Sequence, residues 1–158
     1  EKNHFFILEV AKLSKQNNYP IFFNLVGTGP LLTVIEDEID KYSLRDYVKL
    51  IGASNNIPKL MNNFDCFVFP STVEGFGLVL LEAQAAGLEC FVSRAIQPEA
   101  ILDLNLVKTL DFNIEEWVNN ILQVKQKQIE PSQILNSFKN AGLDYSSIIK
   151  KLEKIYEE

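Results

Sequence analysis

The absences in this chain narrow the field first. It holds two cysteines, Cys66 and Cys90, and a single histidine, His4. No close-spaced Cys/His set exists that could grip a zinc ion, so no metal site is expected. Each cysteine sits inside a short apolar run, which reads as two buried, reduced thiols in a reducing compartment. No apolar run approaches the ~20 residues a membrane-spanning helix requires, and no secretory signal opens the chain. Positive charge is scarce as well: 15 Lys and Arg against 21 Asp and Glu leave a formal net charge of −6. A nucleic-acid-binding surface is normally a basic patch, and here the basic residues are scattered, so no nucleic-acid partner is expected. An acidic total is still compatible with a local positive pocket for a diphosphate.

What is present is an ordinary globular composition: 158 residues, 47% hydrophobic and 23% charged. That is enough for one domain with a sizeable core. Repeats, low-complexity tracts and linkers are not found. The chain starts at Glu1 without a methionine and runs directly into a helical pattern, so its natural beginning is expected upstream.

Apolar positions Phe5, Phe6, Leu8, Val10, Ala11 and Leu13 fit one helical face that closes near Asn17-Asn18 and Pro20. A continuous apolar run at 21–26 has strand length and stops at Gly27-Thr28-Gly29-Pro30. A helix carrying Leu31, Leu32, Ile35 and Ile39 on one side follows. The cycle repeats with a strand at 47–51 ending at Gly52, a short helix at 57–61 with Pro58 in its first turn, and a strand at 65–69 stopped by Pro70-Ser71. Residues 77–86 read as a helix with Gly87 as its stop, 90–92 as a strand and 106–110 as a weaker one. From Ile114 onward the pattern is helical, broken near Pro131 and Gly142. Strands that are apolar throughout and alternate with helices predict an α/β fold, a parallel sheet covered on both faces. Ligands in such sheets bind beyond the carboxyl ends of the strands, so chemistry is expected in the loops at 27–30, 52–56, 70–77 and 93–99.

The most informative segment runs Pro70-Ser71-Thr72-Val73-Glu74-Gly75-Phe76-Gly77-Leu78-Val79-Leu80-Leu81-Glu82-Ala83. A buried strand ends, a glycine-containing loop follows, and a helix opens near Gly77. Gly75 and Gly77 allow close approach of a ligand to the backbone. The first-turn N–H groups of the helix, with its dipole, form an anion site suited to phosphate. Glu82, lying deeper, suits a ribose, and Glu74 at the mouth suits a hexose. Taken singly, Glu74 reads as a loop residue and Glu82 as a solvated helix position. Leu78, Leu81, Ala83, Ala85 and Ala86 make the helix largely apolar, however, and a glutamate packed there is expected to have a partner.

Glu74-Gly75-Phe76-Gly77 followed by Glu82-Ala83 and Ala86-Gly87 resembles the Glu-x7-Glu signature of retaining glycosyltransferases with the GT-B fold, and more narrowly glycosyltransferase family four. Gly27-Thr28-Gly29-Pro30 is similar to that family's glycine turn, and Val48-Lys49-Leu50-Ile51-Gly52 to its next strand-and-glycine element. The stretch at 140–156 resembles, more weakly, the tail of capsular and exopolysaccharide enzymes. The resemblance implies a Rossmann-like three-layer αβα sandwich, one half of a GT-B fold, with 1–158 as the nucleotide-sugar (donor) binding domain. It also implies that the family's first strand, with its arginine, and the N-terminal acceptor domain are missing.

By resemblance, Glu74 is the catalytic-site carboxylate that contacts the donor sugar, and Glu82 holds the ribose. Backbone N–H groups of Gly75, Phe76, Gly77 and Leu78 lie near sugar and phosphate. Lys2 corresponds to a lysine placed on the diphosphate, although by position alone it is a terminal residue. Gly27 lines the nucleotide. Ile57 meets the base, or fills the core as its residue type alone suggests. Thr28 and Ser71 read as capping or turn residues. Glu89 stands where the family often carries proline.

The implied reaction moves a hexosyl or N-acetylhexosaminyl group from a UDP- or GDP-sugar to an acceptor hydroxyl with retention, in polysaccharide biosynthesis. The donor is its substrate and no cofactor or metal is implied. The implied partners are the chain's own acceptor domain and, through it, peripheral contact with a membrane. The implied location is cytoplasmic, at the inner membrane face. A glycoside hydrolase with Glu74 and Glu82 as its carboxylate pair is disfavoured, because a phosphate-type glycine loop has no use there. A non-catalytic nucleotide-sugar binding module remains the alternative.

Overall fold

The computed structural model describes residues 1–125 and 128–157. The domain expected over 1–158 therefore includes Gln126, Lys127 and Glu158, which lie outside the described residues. The elements run α1 (His4–Asn17), β1 (Phe23–Val26), α2 (Leu32–Lys41), β2 (Val48–Gly52), α3 (Ile57–Met61), β3 (Cys66–Phe69), α4 (Leu78–Ala85), β4 (Glu89–Ser93), a short 3-10 turn (Pro98–Ala100), β5 (Val107–Leu110), α5 (Ile114–Leu122), α6 (Pro131–Asn140) and α7 (Tyr145–Glu157).

Local chemistry sets the boundaries. α1 closes where Asn18 turns left-handed and its N–H bonds back to Lys15. α3 opens where the Asn56 side chain accepts from the Lys59 N–H, with Pro58 just inside. At the end of α4, Gly87 takes φ +74 and Leu88 N–H returns to Ala83 C=O, a turn that glycine enters at low cost. The apolar run at 21–26 yields a shorter strand than expected. Ile21 N–H is held by Tyr19 C=O, and inter-strand pairing begins only where Phe23 N–H meets Tyr47 C=O.

All strand pairs are parallel, as the unbroken apolar runs predict. They form two sheets rather than the single one expected: β1 pairs only with β2, and the second sheet is ordered β3-β4-β5. The second sheet is covered on both faces. Successive β4 side chains alternate, Phe91 into a core built with Leu8, Val10, Trp117 and Leu110, and Cys90 and Val92 into another built with Leu80, Ala83, Met61 and Phe69. The first of these cores also takes Phe23, Leu25 and Val48, so it runs under both sheets. α1 packs along α5, where Phe6 meets Trp117 edge-on at 5.2 Å between ring centres. Trp117 is fully buried, and its indole N–H donates to Asp111 C=O at 2.6 Å.

Among the described residues β1, β2, β3 and β5 are each paired on one side only, and β4 alone is paired on both. The β1 and β3 edges are the two that concern the site. Both edges, along their whole lengths, wall the same cavity of about 1220 Å³.

Candidate functional site

The cavity runs along the β1 and β3 edges, from residues 20–22 and 63–65 before the strands to the loops that follow them. Residues 27–30 border it after β1, Ile57 after β2, and Pro70 and Thr72 after β3. Parallel strands place these loops at the same end of each sheet, which is the physical reason the site forms there. Of the sequence-predicted residues, Lys2, Gly27, Ile57 and Glu82 all line this one cavity.

Gly27 ends β1 with its N–H bonded to Gly52 C=O at 2.8 Å, joining the two strand ends, and a Cβ there would meet nothing within 4 Å. Its backbone is therefore open to a ligand. Ile57 is half-buried at the start of α3 and packs against the core around Leu80, so it serves the core and the cavity wall together.

Glu82 corrects one expectation. Leu80, Leu81, Ala83 and Gln84 are the buried face of α4, and Glu82 points away from them, exposed on the cavity wall beside Val79. Three residues apart, Val79 and Glu82 share a helix face. The carboxylate makes no hydrogen bond or ion pair among the described residues, so no protein partner occupies it. The buried polar group of α4 is instead Gln84. Its amide donates to Leu80 C=O at 3.1 Å and Ala100 C=O at 2.8 Å and accepts from Leu102 N–H at 2.8 Å.

The 70–77 loop stands at the cavity rim. Glu74, Gly75, Phe76, Gly77 and Leu78 are not in the cavity wall. Phe76 and Leu78 are exposed, Leu78 by 68%, and Gly77 is buried. α4 starts at Leu78, one residue later than expected, because Gly77 caps it in a left-handed conformation at φ +77. A Cβ at Gly77 would lie in ordinary contact, 3.5 Å from Glu74 Cγ and 3.6 Å from Phe69 Cε1, so it is the left-handed backbone rather than lack of space that favours glycine.

Glu74 reaches the cavity through Lys2. The Lys2 ammonium and the Glu74 carboxylate form an ion pair, Lys2 side chain 49% exposed and Glu74 11%. The other Glu74 oxygen accepts from Gly75 N–H at 3.2 Å. Lys2 is no frayed end: Glu1 C=O accepts from Thr72 N–H at 2.8 Å, with the Thr72 and Ser71 hydroxyls at 3.2 and 3.1 Å. Its ammonium also stands 5.2 Å from the centre of the Phe69 ring.

Sequence reasoning missed the hydroxyls that hold this loop. Ser71 is fully buried rather than a simple turn residue, and Ser93, at the end of β4, donates to Ser71 C=O and accepts from Ala95 N–H. The available signal was a polar residue ending an otherwise apolar strand. His4, half-buried on the cavity wall, has its imidazole pKa lowered by burial. Cys66 and Cys90 are free thiols. Burial and nearby carboxylate charge push Cys66 up to about 12 and Cys90 higher, which leaves both inert as nucleophiles at neutral pH. Among the described residues, no group of three His, Cys, Asp or Glu could hold a metal ion. No helix there is long and apolar enough to cross a membrane.

Residues 1–141 match the family described as Glycosyl transferases group 1. Bacillus subtilis EpsF, named as a glycosyltransferase, is 38% identical over 122 residues, 76% of this chain and 32% of that protein. An Escherichia coli UDP-Gal:alpha-D-GlcNAc-diphosphoundecaprenol alpha-1,3-galactosyltransferase is 29% identical over 162 residues, 98% of this chain and 41% of that protein. The chain thus spans well under half the length of these relatives. Among solved structures, the pneumococcal O-GlcNAc transferase GtfA, in complex with UDP and GlcNAc, superposes with a TM-score of 0.75 at 20% identity, covering 99% of this chain and 33% of that one. TarM superposes with a TM-score of 0.79 at 21% identity, covering 99% and 33%. At these identities the superpositions establish the fold, a Rossmann-like domain.

Proposed function

Because the chain belongs to the glycosyl transferases group 1 family, we propose that it is the donor-binding half of a retaining, GT-B-type enzyme that transfers a hexosyl or N-acetylhexosaminyl group from a nucleoside diphosphate sugar to an acceptor hydroxyl. The observation that carries this reading is the convergence of Lys2, Gly27, Ile57 and Glu82 on one cavity, with Gly27 and Ile57 in the segments that follow the carboxyl ends of β1 and β2. Lys2 supplies the positive charge for the diphosphate. Glu82, exposed and without a protein partner, accepts from the ribose hydroxyls. The open backbone at Gly27 lets the nucleotide lie close, and Ile57 packs against the base. Glu74 contacts the sugar, held at the rim with Gly75, Phe76, Gly77 and Leu78. As charge grows on the departing diphosphate, donors already fixed at that point lower the barrier. The donor is the only small molecule this scheme needs besides the acceptor.

The two unpaired edges of β1 and β3 support a further parallel strand between them, contributed by the part of the polypeptide that the relatives possess and this chain does not span. Facing apolar edges left open are an association hazard, and a strand in the slot removes both. The acceptor domain belongs to the same missing part. Relatives named for a UDP-galactose donor and a diphosphoundecaprenol acceptor, and for UDP and GlcNAc, support a UDP-sugar and a role in surface polysaccharide or glycan assembly. That role places the protein in the cytoplasm, against the inner membrane face through its other half. Free Cys66 and Cys90 accord with a reducing compartment.

The test is transfer by the intact polypeptide, followed by proton NMR of the product's anomeric signal. Retention supports the proposal, and inversion contradicts the mechanism. Binding of donor without turnover by the intact polypeptide would identify a non-catalytic binding module. The 158-residue chain alone binds donor without efficient transfer, since it cannot position an acceptor.

A further inference from the structure

We propose that the Lys2–Glu74 ion pair is a latch that a diphosphate opens: in the empty site Glu74 is the counter-ion of Lys2, and an incoming diphosphate takes its place. The inference rests on the donor-site reading above and adds a mode of regulation to it.

Three observations point this way. The two groups that the reaction assigns to different parts of the donor are bonded to each other, across 72 positions of sequence. The pair also straddles the boundary of the site, since Lys2 lines the cavity and Glu74 does not. Finally, both partners are held at their backbones. Glu1 is stapled to Thr72 and Ser71, and the loop carrying Glu74 is tied to β4 through Ser93. The two backbones are therefore fixed relative to each other, so an ammonium released by Glu74 remains within side-chain reach of the cavity wall. A diphosphate offers Lys2 more negative charge than one carboxylate does, and it draws the ammonium inward. Glu74, freed of its salt partner, then has an acceptor oxygen for a sugar hydroxyl. Full engagement of the sugar contact thus follows engagement of the phosphates.

Calorimetric titration with inorganic pyrophosphate and with UDP tests the latch in four proteins: wild type, Glu74→Gln, Lys2→Met and the double variant. Removing the competing carboxylate is expected to tighten pyrophosphate and UDP about two- to fivefold, the size of a partly exposed ion pair. That gain must vanish when Lys2 is already methionine. A gain of equal size in the Lys2→Met background would mean general relief of negative charge and would overturn the latch, as would no gain at all. With pyrophosphate as a probe, the latch and the donor reading separate. A Lys2-dependent gain for pyrophosphate without any binding of UDP, GDP or ADP retains the latch and sinks the nucleotide assignment. Thermal unfolding of the same four proteins checks the pairing without ligand: a non-additive shift of about 1–3 °C is expected, and additive shifts contradict it.

Discussion

β4 and the facing edges of β1 and β3 are made of the same kind of residue and meet different surroundings. Cys90, Phe91 and Val92 of β4 are buried on both faces, one against Trp117 and Leu110 and the other against Leu80 and Ala83. In β3, Cys66, Phe67 and Val68 are only half-buried; in β1, Phe23 and Leu25 reach the core, Val26 is half-buried and the polar Asn24 is exposed. The difference lies in what borders each strand. β4 is paired on both sides, whereas β1 and β3 are paired on one and open to the cavity on the other. Apolarity in a strand therefore states what the strand is suited to, and burial states what it has. Where the two disagree, as along β3, the strand lies at an open sheet edge.

Substitutions on either side of this divide can break the comparison. The largest effect belongs to the closed side: Trp117→Ala removes a fully buried ring and its hydrogen bond to Asp111, and should cost about 3–5 kcal/mol in urea unfolding. Gln84→Leu follows, stranding the Ala100 C=O and the Leu102 N–H in the interior, at about 1–3 kcal/mol. Gly77→Ala at the rim forces a side chain into the left-handed region and should cost about 1–2 kcal/mol. Phe22→Ala, on the open side, removes an exposed ring stacked on Tyr47 and should cost under about 1 kcal/mol. Equal losses for Trp117 and Phe22 would mean that the edges are as closed as the centre.

The smallest effect sharpens the picture at the cavity wall through pH. Burial lowers the His4 pKa, so between the folded value and the ordinary value near 6.5 the unfolded chain binds the proton that the folded chain refuses. Stability is then lost as pH falls through that window and is unaffected above it. His4→Gln should flatten that part of the stability curve, and an unchanged slope would place the charge-sensitive group elsewhere.

Much of this was legible in the sequence because it is local. The α3 bounds follow from Asn56 and Pro58, and the end of α4 from Gly87. Parallel pairing follows from unbroken apolar strands. Division into two sheets was not legible, since a strand's composition does not name its neighbour. The Lys2–Glu74 pair was not legible either: each residue was assigned to the donor separately, and only the fold brings position 2 to position 74. Glu82 was expected to be packed and to need a partner because its helix is apolar. One turn of geometry decides otherwise, turning Leu81 and Ala83 inward and Glu82 to the cavity.

Glu82 as the ribose acceptor of a nucleoside diphosphate site is the assignment on which the others depend. Calorimetric titration of this chain with UDP, GDP and ADP, beside Glu82→Ala, measures it. The account predicts saturable binding of one of the three and a loss of about tenfold or more in the variant, the range for hydrogen bonds to a charged group. Equal affinity in the two proteins, or no binding of any of the three, would contradict it.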